Sequence, residues 1–484
     1  MVIRTLVLAV ASVVLAGCAV GPDYRAPVPP DVHLHDSDGD AFAPGVAVAR
    51  WWGQFDDPVL EQLVNDTLLA SPDLRLAMTR VRASRAVFSE RRLDPWPHVG
   101  MAAGGERVGQ PDASGGGIDE AYSLGFDAGW ELDLFGRLRR GAEAARADLE
   151  AEQAAARDVQ VSVAAEVARN YFLLRGTQKR IEVAERTLRN LDQTQRLTEA
   201  RQALGAGSAL DVHSSRARLK AIEADLPLLR SAEVTARYRL AVLQGLQPGA
   251  LEAVLQPRPV PAYARPLPLG DTRQLLRSRP DVRAAERRLA SATAQVGVAT
   301  ADLFPRISIR GFAGFLSGDF SSLVAGRNEA WSAAPAISWA ALDMGSVRAR
   351  LRAAEAGADA AAVQYEKAVL GALEDAGNAL QDYARRQERL RIVVQQADAA
   401  REAGRLAEVG YREGGADFLT LLDAQRTRLA AADALAEAEA AVNIAAVAVY
   451  KALGGASTQA GPTGPEEGEG EGIAAASWVP PLGY

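Results

Sequence analysis

Tyr122-Ser123-Leu124-Gly125-Phe126-Asp127-Ala128-Gly129-Trp130-Glu131-Leu132-Asp133 decides the architecture. Tyr122, Leu124, Phe126, Ala128, Trp130 and Leu132 share one face of an extended chain. Ser123, Gly125, Asp127, Gly129, Glu131 and Asp133 share the other, because successive strand side chains point to opposite sides. Such a strand separates an apolar medium from a wet one. A weaker alternation at Val99, Met101 and Ala103 precedes it, and residues 108–120 between them, rich in Gly, Ser and Asp, read as loop. The strands are expected at about 97–108 and 121–133. After Gly136 the period changes. No proline occurs until Pro227, and apolar residues recur seven apart at Leu149, Ala156 and Val163, then in a shifted phase at Val167, Leu174, Ile181 and Leu188. That pattern predicts a long coiled-coil-like helix over 137–204.

The unit is duplicated. Pro72-Asp73-Leu74-Arg75 returns 208 positions later as Pro280-Asp281-Val282-Arg283, and Ala77, Arg80, Ala86, Asp94 and Pro97 keep that spacing to Ala285, Arg288, Ala294, Asp302 and Pro305. Leu132-Asp133 pairs with Leu342-Asp343, and Gly205 with Gly414. Two repeats, 51–255 and 256–453, therefore make up most of the chain. Each reads as helix, strand, strand, long helix, helix. In the first, Pro72 opens a helix over 72–93, Pro95 and Pro97 stop it, and a helix over 209–245 follows the long one, with Pro227 expected to kink it. The second supplies strands at about 305–316 (Ile307, Ile309, Gly311, Ala313, Phe315) and 331–343 (Ile337, Trp339, Ala341), a long helix over 346–412 and a helix over 417–453. At ~1.5 Å per residue each long helix is a rod of roughly 100 Å. The two shorter helices of a repeat together nearly match its length. The strands then sit at one end of the rod and the glycine turns at the other.

Residues 1–17 have the layout of a signal peptide, with Arg4 before an apolar run from Leu6 to Leu15. Leu15-Ala16-Gly17-Cys18 matches a bacterial lipobox, which makes Cys18, the single cysteine, the acylation site. Ala19 stands where an inner-membrane retention signal has Asp, so the address is the outer membrane. Residues 18–50 are expected to be a lipidated tether, extended over the proline- and glycine-rich 21–30. The Gly/Pro/Glu-rich tail, 454–484, is predicted to be disordered.

Composition removes most other functions. With 54 basic against 61 acidic residues, net charge -7, no cationic excess exists to hold nucleic acid. A mean hydropathy of -0.07 excludes a polytopic helical membrane protein. One cysteine and four histidines offer little for disulfides, thiol chemistry or a metal centre. Asp36-Ser37-Asp38-Gly39-Asp40 fails as a calcium loop, because Ala41 and Ala47 occupy the required glycine and glutamate positions. His33 and His35 lack a third ligand. The reading contains no catalytic site, no metal site and no cofactor.

Four two-faced strands per chain cannot stand alone in lipid, where an unpaired edge is not tolerated and barrels need at least about eight strands. They are expected to be shared between chains, with Tyr122, Phe126 and Trp130 toward lipid and Asp127 and Glu131 toward a wet lumen. Trp130 and Trp339 would mark an interfacial aromatic girdle. A small soluble sheet packed on the helices is the alternative.

Cys18-Ala19-Val20-Gly21-Pro22-Asp23-Tyr24, Trp51-Trp52-Gly53-Gln54-Phe55, Trp130-Glu131-Leu132-Asp133-Leu134-Phe135-Gly136 and Asp417-Phe418-Leu419-Thr420-Leu421-Leu422-Asp423-Ala424-Gln425 carry a resemblance over about residues 18–455. The chain resembles the NodT/OprM-type lipoprotein branch of the TolC outer-membrane efflux family. The resemblance implies a mainly α protein with a membrane β-barrel: a homotrimer whose twelve-stranded barrel is continued by a periplasmic helical tunnel. It implies partners too, namely a periplasmic adaptor protein and an inner-membrane RND pump, besides the outer-membrane lipid. The function implied is a passive conduit exporting small molecules such as drugs. An outlet for type I secretion and a lipid-tethered coiled-coil scaffold are the alternatives, with an enzyme a distant third.

The glycine turns Leu204-Gly205-Ala206-Gly207-Ser208 and Glu413-Gly414-Gly415-Ala416-Asp417 end the rods. By the same resemblance Gly205, Ser208, Gly414 and Gly415 are tip residues that meet the adaptor, and Asp417, Tyr411 and Arg412 belong to the gate. Helix capping explains Ser208, Asp417 and the glycines equally. Three copies of Asp417 around an axis would raise one another's pKa and attract cations.

Overall fold

The computed structural model describes residues 19–28, 41–44, 50–110, 117–261, 263, 266–269 and 278–455. The signal segment, Cys18, His33, His35, Asp36–Asp40 and the tail from 456 onward lie outside them. In chain order the elements are β1 (Phe42–Pro44), a 3-10 turn (Trp51–Phe55), α1 (Pro58–Ala70), α2 (Pro72–Leu93), β2 (His98–Gln110) and β3 (Gly117–Leu132). There follow α3 (Arg137–Ala203), α4 (Ala209–Leu243), β4 (Leu267–Leu269), α5 (Pro280–Ala301), β5 (Arg306–Ser317), β6 (Glu329–Ser338), α6 (Met344–Arg412) and α7 (Phe418–Ala452).

The rods α3 and α6 run for 67 and 69 residues. Beside each, two shorter helices lie end to end. Gly245, just past α4, is so close to the start of α2 that an added Cβ would lie 3.3 Å from Pro72. Gly454, just past α7, would likewise meet Arg279 at the start of α5 at 3.2 Å. The same joint thus occurs once in each repeat. α4 remains a single helix through Pro227.

The four long strands form one antiparallel sheet in the order β2-β3-β5-β6. The helices leading into or out of these strands pack in the same order, α2 on α3, α3 on α5 and α5 on α6. The chain is therefore a palisade in which each strand prolongs its own helix, and β2 and β6 are open edges. The main apolar core sits at the joint between stacked helices. There Trp51 stacks on Tyr450 (5.2 Å), Phe55 meets Phe172 (4.7 Å) and Tyr263 (5.1 Å), and the Tyr263 and Tyr450 hydroxyls are 2.9 Å apart.

Three expectations are corrected. The 108–120 segment is mostly strand: β2 runs to Gln110 and β3 begins at Gly117, in register as a pair. Backbone pairing tolerates these polar residues in a protruding hairpin, and Arg107 bonds Glu120 across it at 3.2 Å. β6 stops at Ser338, so Trp339 follows the strand and Ala341 lies in a turn before α6. Residues 20–24 are bonded to α3 and α5 and do not run as a free tether. The sequence reading also lacked α1, with Asp57 capping it through the amides of Val59 and Leu60, and the parallel β1–β4 pair. Among the described residues, no helix is long and apolar enough to cross a membrane.

Candidate channel wall and periplasmic tip

Residues directly opposite in an antiparallel ladder share a face, so the register sorts the sheet. Phe126 pairs with Met101 and Ala313, Trp130 with Ile309, and Ala313 with Trp331. That face is apolar and exposed in the single chain, with Phe126 at 56%, Trp331 at 81% and Met101 at 69%. Tyr122 belongs to it near the hairpin, edge-on to Phe320 at 5.5 Å.

The opposite face holds Asp127, paired with Gly100 and Phe312, and Glu131, paired with Ser308. It also holds His98 and Arg310, both opposite Gly129, and Arg306. The polar face is thus mixed in charge, not acidic throughout. Glu131 is bound by both nitrogens of a fork from Arg137, at 2.9 and 2.8 Å, and Arg310 stands one diagonal from Asp127. Arg137 follows Glu131 by six residues in the first repeat, whereas Arg310 and Arg306 come from the second, and only the register reveals them as neighbours. Phe312 and Leu316 of β5 and Val108 of β2 are apolar residues on this face; Phe312 is the one beside Asp127. It lies over Gly125, where an added Cβ would be 2.7 Å from its ring.

Where sheet becomes rod, Asp133 accepts from the amides of Leu138 (3.0 Å) and Arg139 (2.9 Å) and so caps α3 across a glycine turn, with Gly136 at φ +82. Phe135 stacks on Phe304 at 4.5 Å. Trp130 donates its indole N–H to the Pro95 carbonyl at 2.9 Å, and Trp339 to that of Leu303 at 3.0 Å.

The far ends of the rods are also a repeated pair. Gly205 (φ +72) and Gly414 (φ +81) take the left-handed conformation that glycine alone adopts freely. The amide of Ala206 reaches the Arg201 carbonyl at 2.8 Å, and that of Gly415 the Gly410 carbonyl at 2.8 Å. Ser208 forms a reciprocal capping box with Asp211, both bonds 3.1 Å. Asp417 caps α7, accepting from the Thr420 amide at 2.7 Å, and this bond holds its exposed carboxyl below the usual carboxylate range. Within one chain its pKa thus moves opposite to the shift expected from an aspartate ring.

Of the gate candidates, Asp417 and Arg412 are exposed, Arg412 bonding Glu408 at 3.0 Å. Tyr411 is 6% exposed, packed against Phe418 and Leu421 in a small apolar cluster. The Arg201 guanidinium lies 4.7 Å from its ring centroid, which joins the two tips. Sequence reasoning missed Arg201, because the contact spans both repeats. Above the tips a polar layer crosses the helices: Gln425 donates to Thr194 (3.0 Å), and Thr198 and Ser215 hydroxyls are 3.3 Å apart. Among the described residues no group of three His, Cys, Asp or Glu side chains is placed to hold a metal ion.

The family model described as outer membrane efflux protein matches residues 63–246 and 272–455, nearly the two repeats. The chain is 32% identical over 461 residues to the antibiotic efflux pump outer membrane protein ArpC of Pseudomonas putida, covering 93% of this chain and 94% of that one. It is 32% identical over 452 residues to outer membrane protein OprJ of Pseudomonas aeruginosa, covering 91% and 93%. Among solved structures, the outer-membrane channel OprN shares 47% identity and superposes with a TM-score of 0.87 over 90% of this chain and 99% of that one. The open state of the MtrE channel of Neisseria gonorrhoeae gives 29% identity and a TM-score of 0.79, covering 90% and 98%.

Proposed function

The chain belongs to the outer membrane efflux protein family, and from that we propose that each copy supplies one third of a trimeric conduit: a twelve-stranded barrel in the outer membrane continued by a helical tunnel through the periplasm. One observation carries the reading. Strands and helices follow one another in a single order and leave both edges, β2 and β6, open. Edge pairing of β6 with β2 of a second copy removes the unpaired groups that lipid forbids. In the closed ring the face of Phe126, Tyr122 and Trp130 meets lipid, Trp339 lies at the interface, and Asp127 faces the lumen.

The conduit is passive and catalyses no reaction. Relatives are named as outer membrane proteins of antibiotic and toluene efflux pumps and as a cation efflux system protein. Small molecules handed over by an inner-membrane RND pump through a periplasmic adaptor are accordingly the cargo. Gly205, Ser208, Gly414 and Gly415 form the adaptor-facing mouth, and Asp417 and Arg412, exposed there, are the groups that narrow it, with Tyr411 supporting them from within. The repeats 51–255 and 256–453 are the two halves of each wall segment, and acyl chains on Cys18 tether the assembly to the membrane.

Purified protein fused into planar bilayers tests this directly. Discrete conductance steps are the expected result. No conductance would leave the coiled-coil scaffold, and conductance with export of a polypeptide by a neighbouring ATP-driven exporter would give the secretion outlet.

A further inference from the structure

We propose that residues 19–24 are a latch, seated in a slot between α3 and α5, that holds the acylated terminus at the height where the sheet ends. The inference rests on acylation of Cys18 and adds where the lipid is held and by what.

Both backbone groups of Val20 are engaged: its amide donates to Phe135 O at 3.1 Å, and its carbonyl accepts from Arg140 Nε at 3.3 Å. Arg140 also donates to Asp23 at 2.6 Å and to Glu143 at 2.8 Å, and is itself only 6% exposed. Tyr24 donates its hydroxyl to Glu286 on α5 beneath the Arg287 guanidinium, 5.3 Å from the ring centroid, and Arg287 continues to Glu150 on α3 at 3.0 Å. The segment therefore ties the first repeat's rod to the second repeat's α5.

The slot is cleared by glycine. Gly21 has φ +88, and a Cβ there would fall 2.5 Å from the Gly297 Cα. A Cβ on Gly297 would reach 2.9 Å from the Arg140 side chain, and one on Gly136 would reach 2.7 Å from Ala19. Three glycines from three distant parts of the sequence meet where six residues pass. Without the segment, Arg140 would lose its bonds to Val20 O and Asp23 and keep the one to Glu143. The slot thus favours its occupant.

Cys18 is one residue, ~3.8 Å between Cα atoms, from Ala19. A lipid on that thiol enters the bilayer beside the turn from β3 to α3, so the anchor and the wall move as one body. The polar tether expected from the prolines and glycines begins only after Tyr24.

Arg25 provides the assay, since trypsin cuts after it. Cleavage is timed in detergent-extracted acylated protein, normalised to the same protein unfolded in urea, and the released peptide is weighed. Slow cleavage is expected for the parent, with an increase of about tenfold or more for Tyr24→Phe and for Gly297→Ala, as expected when a charged hydrogen bond or the seat is lost. Gly297→Ala leaves the cut sequence untouched, and Tyr24→Phe leaves the helices untouched, so misfolding of one does not remove the test. Cys18→Ala should cleave as slowly as the parent, because protein contacts hold the latch. Equal rates in all variants, or fast cleavage of the parent, overturn the latch. An unacylated terminal peptide with slow cleavage overturns only the lipid.

Discussion

Trp130 and Trp339, 209 positions apart, make one hydrogen bond twice: each indole N–H caps a carbonyl at the end of the helix before its hairpin, Pro95 at 2.9 Å and Leu303 at 3.0 Å. The bond ties the end of each strand pair to the helix that feeds it. Replacing either tryptophan by phenylalanine keeps an aromatic ring and deletes the donor. Trp130→Phe and Trp339→Phe should each cost about 1 kcal/mol. Thermal unfolding of detergent-extracted protein checks this, and the symmetry predicts similar losses from both.

Capping and gating at Asp417 are separable. Asp417→Asn retains an acceptor for the Thr420 amide and loses the charge, whereas Asp417→Ala loses both. If the carboxylate narrows the mouth, both variants raise open probability and lower cation preference in single-channel recordings. A cap alone predicts a change only in the alanine variant.

The same carboxyl has a pH signature. Its native pKa is held below the unfolded value by the backbone N–H of Thr420. Its stabilisation is therefore present above the unfolded pKa, about 3.9, and is lost as pH falls through the lower native value. Exchange of the Thr420 amide should accelerate in that acid window and not above about pH 5.

Asp158 has the opposite sign. It lines a cleft of about 380 Å³ with Arg279, Asp281 and Lys451, and burial, then the charge of Asp281, raises its pKa. The native state holds this proton more tightly than the unfolded chain, so stability falls as pH rises from about 4 through the native value. Asp158→Asn should remove that slope and leave the protein more stable than the parent at neutral pH, as read by thermal unfolding from pH 4 to 8.

Ion selectivity of the wall follows from register. Arg310 lies diagonal to Asp127 and Glu131 is bound by Arg137, so the polar face is mixed in charge. Arg310→Ala should shift the reversal potential under a salt gradient toward greater cation preference, and Asp127→Ala should shift it the other way.

Much of this was legible without coordinates, for physical reasons. Alternation from Tyr122 to Leu132 and the proline-free heptads after Gly136 are local periodicities, and local periodicity survives in sequence. Pro72 and Pro280 marked helix starts for the same reason. The hairpin extension to Gly117 was hidden because glycine and acidic residues read as loop until a partner strand holds them. Arg310 beside Asp127, Arg201 over Tyr411 and Asp23 on Arg140 join segments far apart in the chain, and no spacing rule reports such contacts. The docked residues 19–24 were misread as tether because proline and glycine mark a close-fitting seat as readily as a flexible one.

In the proposed conduit one chain carries a third of a closed wall. Native mass spectrometry of the detergent-extracted, acylated protein measures it most directly. A complex of three chains that requires detergent to remain in solution is the expected result. A water-soluble single chain would contradict it.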